Sequence, residues 1–425
     1  MAKHLVLMFA YHYPPENVIG AARPFRFSKY LSRLGYTCRV FTAADQTGRE
    51  DPNTEFVPDP FCADRRRKLR WQVERAVRKI LLPGVLGLQW SYLACDAARR
   101  YLQKQSNTSV TLFSTFPPLG SHLAAWQLAQ WKDFPWIADF RDPMRNETLH
   151  KSLNLLQRSV DRWLEHALIR RADAIIANTD AALARWRKRF PHQGRKSHLI
   201  WNGFDPEERV SPLPTALGNR RVVSHVGELY GAREGRTATP VLESVQRLIA
   251  ANRLPVRDVL VRLIGPAEKE TLPEPNFLDR AKAEGWMEAN FREVPKSEAL
   301  KIARSSHYLL LLLPESVSRV PAKLFEYLQI GRPILAFVQP SSPAERLLQQ
   351  SGIPYRCVYP GSNPAAIDET VAEFFTLPSI AVRPNSWFEE QFNAENQTRM
   401  LDAIIRAVHQ QPLQGVNPQC HISKK

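Results

Sequence analysis

Residues 319–333, RVPAKLFEYLQIGRP, gather groups suited to holding a phosphorylated ligand. Pro321 suits a first helical turn, where its missing N–H is one of the unpaired donors, and Gly331-Arg332-Pro333 is a stop. The amides of Ala322 and Lys323 then stand at a helix end that favours a diphosphate, with Lys323 and Arg319 adding charge-assisted bonds. Glu326 falls one turn later on the same face, where a carboxylate can accept hydrogen bonds from both hydroxyls of a ribose. The plain alternative for Glu326 is a solvated helix acid.

Other segments carry related chemistry. HVGELYGAR (225–233) reads as a strand, a glycine turn and then Arg233, whose planar donors suit phosphate oxygens better than a lysine does. Gly227 and Gly231 are backbone requirements in either case, and a surface arginine is the other reading of Arg233. In YPPENVIGAARP, Gly20 has no Cβ, so the backbone can come close to a ligand just before a helix whose N–H groups point at a phosphate. The other reading is a turn kept open by two prolines. His122 follows STFPPLGS, and DFRDP places Asp139, Arg141 and Asp142 directly after an apolar strand. A lone histidine can be structural, and Asp142 can instead cap the next helix. No pair of opposed carboxylates of the glycosidase kind is evident, and no Asp-x-Asp pair sits in a donor-like loop.

The elements that position these groups alternate. LVLMFAY is a buried strand, residues 23–34 have helical spacing, Gly35 stops that helix and TCRVFTA is the next strand, which completes a βαβ unit. SVTLFST, WIADF, AIIAN and HLIWNG continue the series. After a polar, proline-rich linker at 206–219 it restarts with VVSHVGELYG, VLVRLIG, a weak FREVP strand, HYLLLLLP, a helix from Ala322 to Ile330 and PILAFV. Alternation of this kind predicts α/β architecture, with two parallel sheets covered by helices on both faces. The boundaries read 1–205 for a first domain, 206–219 for the linker, 220–384 for a second domain, 385–411 for a long helix or broken pair returning to the first, and 412–425 for a frayed tail. Ligands of such sheets bind beyond the carboxyl ends of the strands, where the loops named above lie.

Composition narrows the class. The chain has 425 residues, 44% hydrophobic, as a packed two-domain protein requires. No apolar run reaches the roughly 18–20 residues that span a bilayer, and no secretory leader is evident, so a cytoplasmic protein is expected. The five scattered cysteines indicate neither disulfides nor structural zinc. The 58 Lys+Arg exceed the 42 Asp+Glu by 16, which favours an anionic partner. Residues 65–82, RRRKLRWQVERAVRKILL, read as an amphipathic helix. Arg65, Arg66, Arg67, Lys68, Arg70 and Trp71 there suit the interface of an anionic membrane, the alternative being a packed helix with a solvated basic face.

Taken in order, the Gly20 loop, DFRDP, ADAIIANTD with IWNGFD, HVGELYGAR and VPAKLFEYLQIGRPIL resemble glycosyltransferase family four, in its branch that builds bacterial surface polysaccharides. The resemblance covers nearly the whole chain. It implies a GT-B fold of two Rossmann-like domains facing a cleft, and retaining hexosyl transfer from a nucleotide sugar without a metal or cofactor. It further implies a donor bound by the second domain and a lipid-linked or glycan acceptor bound by the first, at the inner face of a membrane. By the same resemblance Glu326 holds the ribose, Gly20 faces the diphosphate, His122 lies against the donor sugar, and the DFRDP loop stands at the acceptor entrance. Many members carry a second glutamate eight positions before this one. Here that position is Ser318, with Glu315 out of register, which leaves the sugar contacts open. The rival readings are a nucleotide-sugar epimerase of the same architecture, which needs no acceptor, and a nucleic-acid-binding protein, for which no recognisable module is present.

Overall fold

The computed structural model describes residues 4–16, 18–45, 51–60, 86–106, 108–142, 144, 154–215, 220–229, 237–268, 272–314 and 316–410. The first half runs β1 (His4–Phe9), α1 (Ile19–Arg33), β2 (Thr37–Thr42), β3 (Thr54–Phe56), α2 (Leu88–Gln103), β4 (Ser109–Phe116), α3 (Leu119–Trp131), β5 (Trp136–Phe140), α4 (Leu155–Arg171), β6 (Ala174–Ala177), α5 (Asp180–Arg189) and β7 (Ser197–Leu199). These strands make a seven-stranded parallel sheet in the order β3-β2-β1-β4-β5-β6-β7.

The second half runs β8 (Arg221–Val226), α6 (Thr239–Ala250), β9 (Val259–Ile264), α7 (Pro275–Ala283), β10 (Met287–Asn290), α8 (Lys296–Arg304), β11 (Tyr308–Leu313), α9 (Ala322–Ile330), β12 (Ile334–Val338), α10 (Pro343–Ser351), β13 (Tyr355–Val358) and α11 (Pro364–Thr376). Its parallel sheet has the order β10-β9-β8-β11-β12-β13. Central strands of this kind are buried on both faces, as β11, YLLLLL, is along its whole length. Two expectations need correction. The tenth strand is Met287–Asn290 rather than FREVP, whose residues lie in the following loop, and of HLIWNG only the first part is strand.

Each sheet reverses its winding direction once, between β1 and β4 in the first and between β8 and β11 in the second. The loops leaving those neighbouring strands diverge to opposite faces, and a crevice opens at the carboxyl edge. The Gly20 and His122 loops leave β1 and β4. The HVG turn and the start of α9 follow β8 and β11.

The described residues close with a broken pair, α12 (Ser386–Phe392) and α13 (Ala394–Gln410). Leu401, Ile404, Ile405 and Val408 of α13 join one core cluster with Val6 and Met8 of β1 and Phe27 and Leu31 of α1. Tyr36 Oη donates to Asp402 Oδ1 at 2.5 Å, and Thr111 Oγ1 lies 2.8 Å from His409 Nε2. The last helix therefore closes the first sheet, although it follows the second in sequence. Ile405→Ala should lower the free energy of unfolding of the first half by about 2–5 kcal/mol in urea denaturation, whereas Arg406→Ala on the exposed side should change it by at most about 0.5 kcal/mol.

Candidate functional site

The crevice of the second sheet is built around one lysine. Helix α9 begins at Ala322 with Pro321 as its N-cap and no side chain capping it, and ends at Gly331 in the left-handed conformation. Lys323, in the first turn, carries its ammonium back across the sheet edge to 3.3 Å from His225 Nε2. His225 is buried in β8, and its Nδ1 lies 3.0 Å from the carbonyl oxygen of Leu310. A carbonyl can only accept, so Nδ1 carries the ring proton and Nε2 is left to accept from Lys323. Gly227 makes this approach possible: a Cβ there would stand 2.8 Å from Lys323 Nζ, and the residue's φ of +110° favours glycine in any case. Gly265, at the end of the neighbouring β9, closes the floor, since a Cβ there would meet the Gly227 carbonyl oxygen at 2.6 Å.

Glu326 lies one turn along α9 from Lys323, half-exposed, with Oε1 3.5 Å from Lys296 Nζ. A pair this exposed contributes at most about 1 kcal/mol, so a ribose can displace Lys296. Arg319 donates its backbone amide to Ser316 Oγ at 3.0 Å, and the Ser318 carbonyl accepts from Thr179 Oγ1 at 2.7 Å. That bond and the Arg346–Asp180 pair at 2.8 Å join the two halves beside α9.

The crevice of the first sheet holds a second cation. Arg141 is buried, its amide donates to the Phe116 carbonyl at 2.9 Å, and its guanidinium donates to Pro117. The guanidinium passes directly beside Gly20 in the first turn of α1, where a Cβ would stand 2.6 Å from Nη1. Gly20 is therefore required by Arg141, and the two together bring a cation to an N-terminus that no side chain caps. Burial lowers the Arg141 pKa, against the attraction of Asp139 and Asp142. Asp142 is half-buried next to it, and the residue that follows lies outside the described ones.

Beneath them Arg23 grips Asp139 with two nitrogens, Nη2 to Oδ1 at 2.8 Å and Nε to Oδ2 at 3.0 Å, and donates to the Ile200 carbonyl at 2.9 Å. Thr115 Oγ1 also donates to Asp139, at 2.9 Å. Asp139 is thus a buried structural anchor. Arg26 reaches the Gly203 carbonyl at 2.5 Å; burial lowers its pKa, while Asp205, Glu208 and Glu326 act to raise it. Helix α1 therefore stands within electrostatic reach of the carboxylate on α9.

His122 lies deeper than Arg141. Its ring is fully buried, centred 4.4 Å from Phe140 and packed against Phe116 and Trp136, with Nδ1 2.7 Å from Ser114 Oγ. Burial, with repulsion from Arg141, pulls its pKa down to about 3. The ring is held in the core of the first sheet, with Nε2 buried and without a hydrogen-bond partner among the described residues. Arg233 and Gly231 lie outside the described residues, as do Arg65, Arg66, Arg67, Lys68, Arg70 and Trp71. Sequence reasoning missed Arg23 and His225. The signal for Arg23 was an arginine one turn into the helix that Gly20 opens; for His225 it was a histidine two residues before a strand-end glycine.

A cavity of about 410 Å³ lies at the amino ends of β8 and β11 around Arg221 and Tyr308, at the opposite edge from Lys323. It plays no part in this arrangement. Among the described residues no group of three or more His, Cys, Asp or Glu could hold a metal ion, and no helix is long and apolar enough to cross a membrane.

Residues 24–208, which hold most of the first sheet, match the model of Glycosyltransferase Family 4. Those residues belong to glycosyltransferase family four, and the enzyme is a glycosyltransferase. Similar solved structures include a glycosyltransferase from Rickettsia africae, 13% identical with a TM-score of 0.58 and covering 96% of this chain and 100% of that one. An Anabaena protein in complex with UDP-glucose is 12% identical with a TM-score of 0.54, covering 95% and 99%. A lipopolysaccharide outer core galactosyltransferase, WaaB, is 11% identical with a TM-score of 0.56, covering 95% and 99%. These likenesses give the glycosyltransferase the GT-B fold. No curated protein matches the chain.

Gly20→Ala places a methyl where the Arg141 guanidinium lies, while alanine in a helix is favoured over glycine by up to about 1 kcal/mol. The variant should keep or raise its melting temperature yet lose roughly ten- to a hundredfold in kcat/KM, measured beside a melting curve of the same preparation.

Proposed function

We propose that the enzyme is a retaining hexosyltransferase that moves a sugar from a nucleoside-diphosphate sugar to a lipid-linked or glycan acceptor in surface polysaccharide biosynthesis. The observation that carries the reading is the pair of cations, Lys323 and Arg141, each brought to an uncapped helix start at the carboxyl edge of a parallel sheet by a glycine opposite it. A diphosphate is the group that the Lys323 site fits. The Anabaena structure, similar in fold, holds UDP-glucose, which supports a nucleotide-sugar donor, and WaaB, also similar in fold, is a lipopolysaccharide outer core galactosyltransferase, which supports a glycan acceptor.

In this reading the second half, residues 220–384, binds the donor. Lys323, the amides at Ala322 and Lys323, Arg319 and Arg233 hold the diphosphate, and Glu326 accepts both ribose hydroxyls after releasing Lys296. The backbone at Ser318 and the turn at Gly231 border the sugar. The first half, residues 1–205, binds the acceptor, with Asp142 at its entrance, and the helical segment at 385–411 ties the two domains together. Departure of the nucleoside diphosphate is the hard step. Preorganised cations and amides that meet the charge developing on the leaving phosphate lower its barrier without a metal ion. His225 serves as a positioning residue, holding Lys323 at the sheet edge. Arg65, Arg66, Arg67, Lys68, Arg70 and Trp71 bring the first half to an anionic membrane surface, and the chain works at its cytoplasmic face.

The test is release of nucleoside diphosphate from a panel of nucleotide sugars, with and without lipid extract, in the presence of EDTA. One sugar nucleotide should be turned over on addition of extract, undiminished by the chelator, and Glu326→Ala should lose at least about tenfold in donor affinity by calorimetry while remaining folded. Loss of activity in EDTA that manganese or magnesium restores would remove the metal-free mechanism, and unchanged affinity in Glu326→Ala would remove the ribose assignment.

A further inference from the structure

Helix α4 presents an unusual outer face. Leu155, Leu156 and Trp163 are 81%, 55% and 60% exposed, and Ser159, Arg162, His166 and Arg170 are exposed with them. Spacing of three or four residues puts Leu155, Ser159, Arg162, Trp163, His166 and Arg170 on one side of the helix, apolar and aromatic at its start and basic along its length. The acids of the helix turn inward. Asp161 is half-buried, and Glu165 is buried and paired with Arg189.

The face continues onto the next turn of chain. A depression of about 350 Å³ is lined by Arg162, His166, Arg189, Phe190, His192 and Gln193. Beside it Arg187 and Lys188 of α5 and Arg195 are exposed. Residues 155–196 hold ten Arg and Lys against four Asp and Glu, and of those acids Asp173 and Asp180 are paired with Arg171 and Arg346. Large exposed apolar side chains inside a field with an excess of cations suit one kind of surface: the apolar groups enter the headgroup boundary while the cations meet its negative charge.

We propose that α4 and the turn at 189–196 form a docking face for an anionic phospholipid bilayer. The face is distinct in sequence from the basic segment at 65–82, and it gives the first half a further point of attachment. Its use to the enzyme rests on the reading that the acceptor is lipid-linked, whereas docking itself requires neither donor nor acceptor. A protein partner is the competing occupant. The excess of cations favours the bilayer, because an interface core between proteins is depleted in charge.

The test uses the full chain and vesicles of phosphatidylcholine alone or mixed with phosphatidylglycerol. Wild type should sediment with the mixed vesicles only. Arg162→Gln with Arg170→Gln should weaken that binding roughly thirtyfold, at about a factor of five for each charge, and added salt should weaken wild-type binding likewise. Brominated phosphatidylglycerol should quench tryptophan fluorescence in wild type more than in Trp163→Phe, which keeps the apolar character and removes the reporter. Equal sedimentation of the double variant and wild type, or equal quenching in Trp163→Phe, would overturn the proposal. So would a concentration-dependent dimer that Trp163→Ala disperses, since the face would then serve a second copy of the chain. Nucleoside diphosphate release with a soluble acceptor is measured on the same variants; it should be unchanged, so failure of docking and failure of the glycosyl-transfer reading give different results.

Discussion

Two cations stand at the carboxyl edges of the two parallel sheets, and each occupies its place because the residue opposite it has no side chain. The ammonium of Lys323 lies 2.8 Å from where a Cβ of Gly227 would be, and the guanidinium of Arg141 2.6 Å from where a Cβ of Gly20 would be. The surrounding architecture serves these two approaches. The reversals in strand order place the loops, the starts of α1 and α9 supply amides, and the cores behind them fix the edges. Bringing a charge to a sheet edge costs desolvation, offset here by named partners: the His225 ring for Lys323, and Asp139 and Asp142 near Arg141.

The two halves solve the same problem with different supports. In the second, the proton position on His225 is set by the Leu310 carbonyl, so its Nε2 can only accept, and the lysine is aimed by a rigid ring in a central strand. In the first, the support is a buried ion pair, Arg23 with Asp139, which links α1, β5 and the chain near Ile200. Removing one partner of such a pair leaves an uncompensated buried charge at a cost of about 3–5 kcal/mol, so Asp139 belongs to the framework. The closing helix α13 adds to the same framework from the far end of the chain.

Much of this was legible from residue types alone. Proline before and glycine after the segment at 322–330 mark the helix that carries Lys323 and Glu326, because both residues act through local backbone geometry. The strand alternation was equally readable in the central, fully apolar strands. Short edge strands such as Thr54–Phe56 and Tyr355–Val358 were not, since they are only partly buried and carry no long apolar run. The same holds for the exchange of FREVP for Met287–Asn290. His122 and His225 show the limit most clearly: each is a histidine between a serine and an apolar residue, and only tertiary packing makes one a core ring against Phe140 and the other a support for a lysine. The Gly20–Arg141 contact joins positions far apart in the chain, and nothing local in either segment announces it.

The central claim is that Lys323, held under Gly227 by His225, reads the phosphates of the donor. Calorimetry of the wild type and Lys323→Gln, each with a nucleoside and with its diphosphate, measures that directly. The diphosphate should bind the wild type more tightly than the nucleoside by a factor of about a hundred or more, and Lys323→Gln should lose most of that advantage while its affinity for the nucleoside stays unchanged. An advantage of the diphosphate that persists undiminished in Lys323→Gln would contradict the account.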